Sequence, residues 1–412
     1  MPTGLWLRRI AYAVYASSIL AIAGAGVFIS PGYAWDTLPY IGVALSYDSN
    51  DPAFIHEGAY GAVRRAAPPS VYDELTTSMS YRAEVARDPG AFMEQLPFYR
   101  VRVAYCSLIY VLHKAGMDLV RAVFVISALS YVLLTLLGFI WTRRYIGDLG
   151  AMLASLLVAY SFPFLQVSRA PGADGLAALA VAFAVYVYVE KQRPALFFAL
   201  LTLAVLVRHD SVVVGLMFAA YFFLFHRADR LRARAARFAT RAGALLGAYL
   251  LVDRLIGGYG WRTLFYHTFI RLQSHPATAE VPVGVADYLR VFAHNLADQA
   301  PRSFAIPYLL VLALGASFYL RPRERRRLDE PLVTVSIVLI LNLVIRPLLF
   351  PVLWERFFLA HYLVFAAVSA RMLREGSNDA LGLRRDPHFT ATTSPPAAEP
   401  APAEIQRDVA VL

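Results

Sequence analysis

Long apolar runs, each closed by charges or turn residues, recur along the chain and set its character. A helix crossing the hydrocarbon core of a bilayer needs about 20 mainly apolar residues. Such runs, several of them short for a full span, cover residues 10–29, 119–141, 149–165, 175–189, 195–207, 212–225, 242–256, 304–320, 332–349 and 357–372. The pattern predicts an all-α membrane protein, a polytopic helical bundle of about ten spans. A shorter apolar stretch, 101–112, is only about twelve residues long and falls short of a span; it is expected to lie as a helix along the membrane face.

Between the first two runs lies 30–118, the largest polar segment, and a second long polar segment covers 257–302. Loops of that length in a compact membrane protein are usually functional. From 376 to 412 the chain turns to Ser, Thr, Pro and Ala, as in Thr392, Thr393, Ser394, Pro395 and Pro396, and this tail is expected to be disordered. No internal repeat supports a transporter built from two related halves.

Lysine and arginine set the orientation, because cytoplasmic loops collect them. With the amino terminus inside, Arg8, Arg9, Arg143, Arg144, Lys191, Arg193, the arginines from Arg227 to Arg241 and from Arg321 to Arg327, Arg371, Arg374, Arg384 and Arg385 all fall on one side. Counting 101–112 as a span would reverse everything after it and push the two arginine-rich loops outside. The expectation is a plasma or inner membrane protein with both termini cytoplasmic and both long loops, including interfacial helices in the first, extracytoplasmic. Arg8 and Arg9 precede the first run as they would in a signal peptide, but the run exceeds the 7–15 residues of a signal core and is expected to be retained.

Composition agrees. Apolar residues make up 58% of the 412 and charged residues 17%, with a mean hydropathy of +0.51, which excludes an ordinary soluble enzyme. The net charge of +10 does not point to nucleic acid, because the arginines are interleaved with apolar runs. Cys106 is the single cysteine, so an internal disulfide or cysteine-cluster metal site is excluded, and it is read as a packing residue.

Candidate chemistry gathers on the predicted outer face. Asp36 follows the first run, behind Trp35, where a turn or capping role is the plain reading. Asp48, Asn50 and Asp51 offer a loose oxygen-ligand set without the EF-hand pattern, with His56 and Glu57 beyond. Asp174 closes the run Ser168, Arg169, Ala170, Pro171, Gly172, Ala173 and would cap a helix. Arg208, His209 and Asp210 occupy a turn between two runs, and Arg346, Glu355 and Arg356 lie between the last two. Their shared side raises them above solvated turns, and arginine, always charged with paired donors, suits a phosphate. No GxxxxGK[ST], GxGxxG after a strand, HExxH or GxSxG occurs.

In these features the chain resembles the GT-C superfamily of multi-spanning glycosyltransferases. The likeness is carried by Asp36 in Ala34, Trp35, Asp36, Thr37, by the long first loop leaving through Leu96, Pro97, Phe98, Tyr99, Arg100, by the run from Arg169 to Asp174, and by Leu206, Val207, Arg208, His209, Asp210. It covers residues 1–225; 226–375 holds variable membrane helices, and the tail follows. The resemblance implies an inverting transferase that takes a sugar from a polyprenyl phosphate and passes it to a hydroxyl of a glycan, lipid or protein on the extracytoplasmic face. Asp36 would be the base, Arg169, Arg208, His209, Arg346 and Arg356 the donor-phosphate ligands, and Asp51, Asp174 and Asp210 supporting acids. A paired DxD is absent at Asp36, which leaves open whether a divalent cation, Mg or Mn, shares the leaving-group role. The alternative is a transporter or flippase of an anionic glycolipid, using the same arginines without a base. Ionisable groups at the ends of the runs, with few at their centres, favour the enzyme.

Overall fold

A computed structural model describes residues 3–226, 230–303 and 330–380, which are helical with no strand among them. The expected span at 304–320, the arginines from Arg321 to Arg327 and most of the tail, from 381 on, lie outside the described residues. The chain enters through α1 (Thr3–Gly24), extended by a π turn over Ala25–Ile29.

The polar segment after it folds into short helices: α2 (Thr37–Leu45), α3 (Pro52–Ala66), α4 (Pro69–Thr77), α5 (Ser80–Arg87), α6 (Pro89–Gln95), α7 (Pro97–Arg100) and α8 (Val103–Lys114). Four of them open on proline, whose fixed φ suits the first helical position. Asp51 and Asp88 cap α3 and α6 by accepting from Ala53 N at 3.0 Å and Gly90 N at 2.8 Å. The stretch expected to be a short helix is α8.

The next helix, α9 (Leu119–Ala159), is broken at Gly147, whose φ of +71° only glycine adopts freely. The break falls between the two runs that the sequence separates at 141 and 149. Beyond it the chain continues through α10 (Phe162–Arg169) and runs parallel to α1 in step. Arg8 meets Asp148 at 2.7 Å, Tyr15 meets Ser155 at 3.0 Å, Ser18 meets Tyr160 at 2.5 Å, and Gly32 N reaches Arg169 O at 2.8 Å. Residues 148–169 therefore span the same length as the first apolar run and in the same direction.

Then follow α11 (Asp174–Lys191), α12 (Pro194–Val207), α13 (Ser211–Phe225), α14 (Leu231–Val252), α15 (Trp261–Phe269), α16 (Val285–Ser303), α17 (Pro331–Leu349) and α18 (Leu359–Ala380). The last helix carries the chain five residues past 375, where the sequence suggests that order ends.

Among the described residues three helices, Trp6–Ile29, Leu119–Ala159 and Pro331–Leu349, are long and apolar enough to cross a membrane, and Pro194–Val207 and Ser211–Phe225 are shorter apolar helices. The exposed side of residues 148–159 is a leucine stripe at helical spacing, Leu149, Leu153 and Leu157, each more than half exposed. Such a stripe points to lipid contact.

Ion pairs collect at two ends of the bundle. At one, Glu190 meets Arg144 at 2.9 Å and Arg371 at 3.7 Å, accepts from Trp141 Nε1 at 2.9 Å and from Tyr145, and Asp148 holds Arg143 and Arg8 nearby. These arginines belong to the set expected inside. At the other end of α11 stands Asp174, sixteen residues before Glu190 and so about 24 Å away along the axis. If the bundle crosses a membrane as the arginine pattern predicts, single cysteines at Ser70 and Lys191 in a Cys106→Ser background are labelled from opposite sides by an impermeant maleimide. Labelling of both from one side would overturn the orientation.

The two long polar segments are clipped together. Gln95 Nε2 donates to the carbonyls of Gln273 and Ser274 at 3.1 and 2.9 Å, and Glu94 accepts from Ala277 N at 2.9 Å. His275 sits among three carboxylates, at 3.0 Å from Glu94, 3.6 Å from Asp88 and 3.8 Å from Glu84. Its hydrogen bond to Glu94 first, and then the neighbouring charges, lift its pKa above the ordinary histidine value against slight burial. A raised folded pKa stabilises below about pH 6.5 and loses that contribution as pH climbs through the folded value. Proteolysis within 271–282 is therefore expected to quicken between about pH 6 and pH 8, and His275→Gln to remove the pH dependence.

Candidate functional site

Four helix ends and a turn bring one charged group together. Asp174 and Asp210 stand at the starts of α11 and α13, where the positive end of the helix dipole favours carboxylates. Arg208 follows the last residue of α12, and Arg346 lies in the last turn of α17, where cations are favoured. A short turn, Glu355–Phe358, adds Arg356 and Phe357.

Arg208 is the centre of the group. Its guanidinium bonds Asp174 through Nη1 and reaches Asp210 through Nε at 2.9 Å. Arg346 donates through Nη2 to Asp210 and through Nη1 to the Phe357 carbonyl at 3.1 Å. Arg356 Nε approaches Asp174 at 3.3 Å. The Phe357 ring lies 3.9 Å from the Arg208 guanidinium carbon and 4.3 Å from that of Arg346, a cation–π floor for both. Arg208 and Arg346 side chains are each 13% exposed, so the pairing operates partly out of water. Burial opposes ionisation of Asp210, but the charges of Arg208 and Arg346 outweigh it and hold the carboxyl well below the usual carboxylate range. Three guanidiniums against two carboxylates leave the group with one positive charge in surplus.

The group lines a cavity of about 50 Å³ together with Asn342 and His361, with room for water. His361 Nε2 is 3.1 Å from Asn342 Oδ1.

Asp36 starts α2 without capping it through its side chain; instead its Oδ1 accepts from the Tyr99 hydroxyl at 2.7 Å. Burial first, and then the Asp36 charge, raise the Tyr99 pKa well above that of a free phenol, so Tyr99 remains a donor. The Tyr99 ring packs edge-on against Tyr40 at 5.1 Å, and the Arg102 guanidinium lies 5.2 Å from the Tyr99 ring and 5.4 Å from that of Tyr40. Arg102 lies within electrostatic reach of both Asp36 and Asp174. Neither Arg102 nor the role of Tyr99 emerges from the sequence. The signal was the basic pair Arg100 and Arg102 where polar chain turns apolar, behind a tyrosine.

The other named residues sit elsewhere. Arg169 ends α10 with an exposed side chain and no ion pair among the described residues. His209 stacks flat on Tyr249 at 3.8 Å and bonds the Tyr249 carbonyl at 3.1 Å, so it ties the turn to α14. Asp51 is the cap of α3, and Asp48 is held by Lys114 at 2.9 Å and the Tyr110 hydroxyl at 2.9 Å. The donors around Asp48 and Asp51 thus do not fit a divalent cation, and no group of three or more His, Cys, Asp or Glu suited to a metal ion occurs among the described residues. No family model matches the chain, and neither a curated protein nor a solved structure matches it.

Proposed function

We propose that the protein is a membrane glycosyltransferase of the GT-C kind, moving a sugar from a polyprenyl phosphate to an acceptor hydroxyl on the extracytoplasmic face with inversion. The observation that carries the reading is the presence of a carboxylate held by Tyr99 and of a partly buried arginine group of surplus positive charge, with Arg102 within electrostatic reach of both.

In this reading Asp36 takes the proton of the acceptor hydroxyl as its oxygen attacks the anomeric carbon. The bond from that carbon to the phosphate oxygen breaks on the opposite face, and a single displacement inverts the centre. Polyprenyl phosphate leaves with the electron pair, and the surplus charge of Arg208, Arg346 and Arg356 offsets the charge it gains. Arg169, exposed and without an acidic partner, meets the phosphate on approach. Tyr99 orients Asp36 by donating to it.

Purified protein is expected to discharge a radiolabelled polyprenyl-phosphate sugar only when acceptor is supplied, with the label appearing in the acceptor. Movement of the intact lipid across a vesicle bilayer without any discharge would favour the flippase reading instead.

A further inference from the structure

A larger cavity, of about 730 Å³, opens between the two long polar segments where α5 faces the chain after α15. That volume takes several sugar rings and lies in the usual range for a ligand site. Its wall carries the rings of Tyr81 and Tyr266, the hydroxyls of Ser80 and Thr278, and the amide of Gln273. Flat rings beside hydroxyl and amide groups suit a polyhydroxyl ligand, whose apolar ring faces stack while its hydroxyls bond.

The charged residues of the wall, Glu84 and Glu280 against Arg271 and His275, carry both signs, and His275 is occupied by its carboxylates. A phosphate or polyanion finds no one-signed field there, unlike at the arginine group. Gln273 adds an independent sign of a ligand. The residue is 8% exposed, yet its amide oxygen is buried without a hydrogen-bond donor among the described residues. Buried polar atoms are nearly always paired, so an orphan in a cavity wall is a place for an incoming donor. The last torsion of glutamine is broad, so the amide turns toward the opening at little cost.

The cavity also adjoins the base. The Tyr81 ring packs on Trp35 at 5.3 Å, and Trp35 precedes Asp36. After burial, the Asp36 charge is the next cause raising the Tyr81 pKa, which places the carboxylate close behind that wall.

We propose that this cavity binds an uncharged glycan along Tyr81, Gln273 and Tyr266, and that the acceptor of the transfer is therefore a saccharide chain, not a lipid or protein hydroxyl. Only the acceptor role rests on the transferase reading; the binding does not.

The test is saturation-transfer NMR on the full chain in detergent, with neutral trisaccharides of glucose, galactose and mannose as separate probes and a short-chain phosphatidylglycerol and a serine-rich peptide as comparisons. At least one trisaccharide is expected to receive saturation and the comparisons none at this site. The effect should fall at least fivefold in Gln273→Leu and in Ser80→Trp, the second filling the cavity from an exposed position at the start of α5, and persist in Gln273→Glu, which keeps an acceptor oxygen. No saturation of any trisaccharide, or saturation unchanged in Ser80→Trp, overturns the proposal. Glycan binding that survives in Asp36→Asn while the unaltered chain shows no sugar transfer keeps the cavity and discards the enzyme. Transfer to lipid or peptide by a protein that ignores trisaccharides does the reverse.

Discussion

Asp36→Asn protein is expected to fold, to hold the donor and to lose about 100-fold to 10,000-fold in sugar transfer, the usual worth of a general base. The substitution separates catalysis from structure cleanly at this position. Asparagine keeps an oxygen for the Tyr99 hydroxyl, so the contact that positions the side chain survives. The carboxylate does not cap α2 through its side chain, so no helix start is lost. What disappears is the capacity to take a proton. Transfer assays on protein of unchanged melting temperature decide it, and near-normal transfer would remove Asp36 from the chemistry. Tyr99→Phe provides the graded comparison: it leaves the base in place but untethered, so transfer should fall by less than in Asp36→Asn.

The second large effect is expected at Arg208. Its removal strips both Asp174 and Asp210 of their shared partner and brings the group from one surplus positive charge to none. Breaking a buried ion pair by deleting one member costs on the order of 3 kcal/mol, so Arg208→Ala should melt markedly earlier. A charge-assisted bond to phosphate contributes roughly 1.5 to 3 kcal/mol, so donor affinity should fall about tenfold or more. Arg208→Lys keeps the charge but loses the planar fork that reaches two carboxylates at once, and should recover only part of both losses. Unchanged donor affinity in Arg208→Ala, measured on protein that still folds, would make the group a structural clasp.

How much of this was legible in the sequence depended on whether a feature was local. Gly147 breaks α9 where Arg143 and Asp148 interrupt the apolar pattern, and that interruption separates two runs in the bare sequence. Asp174, Arg208, Asp210, Arg346 and Arg356 were grouped by side alone, because helices laid back and forth must bring their ends together. That their charges neutralise one another was not legible, since it depends on which termini are neighbours. Asp51, read from the sequence as a candidate ligand and supporting acid, is instead the cap that its place before Pro52 allows. The partners of Asp36 and His209 were not, for Tyr99 and Tyr249 lie far along the chain and meet them only through packing. The 30–118 segment reads as one polar loop because its helices are too short and too mixed to show a period, and the glycan cavity is built from two such segments at once.

If α11 crosses the bilayer, as the apolar run 175–189 predicts, the spacing of about 24 Å between Asp174 and Glu190 sets a mismatch with the roughly 30 Å of hydrocarbon in an ordinary bilayer. Tilting α11 shortens its reach further, so it offers no remedy. A bilayer around this helix would then thin by several ångströms, or let its headgroups sink beside the charged ends. Such a dimple would carry a lipid's phosphate down to the arginine group, in place of an arm of protein reaching up to meet it.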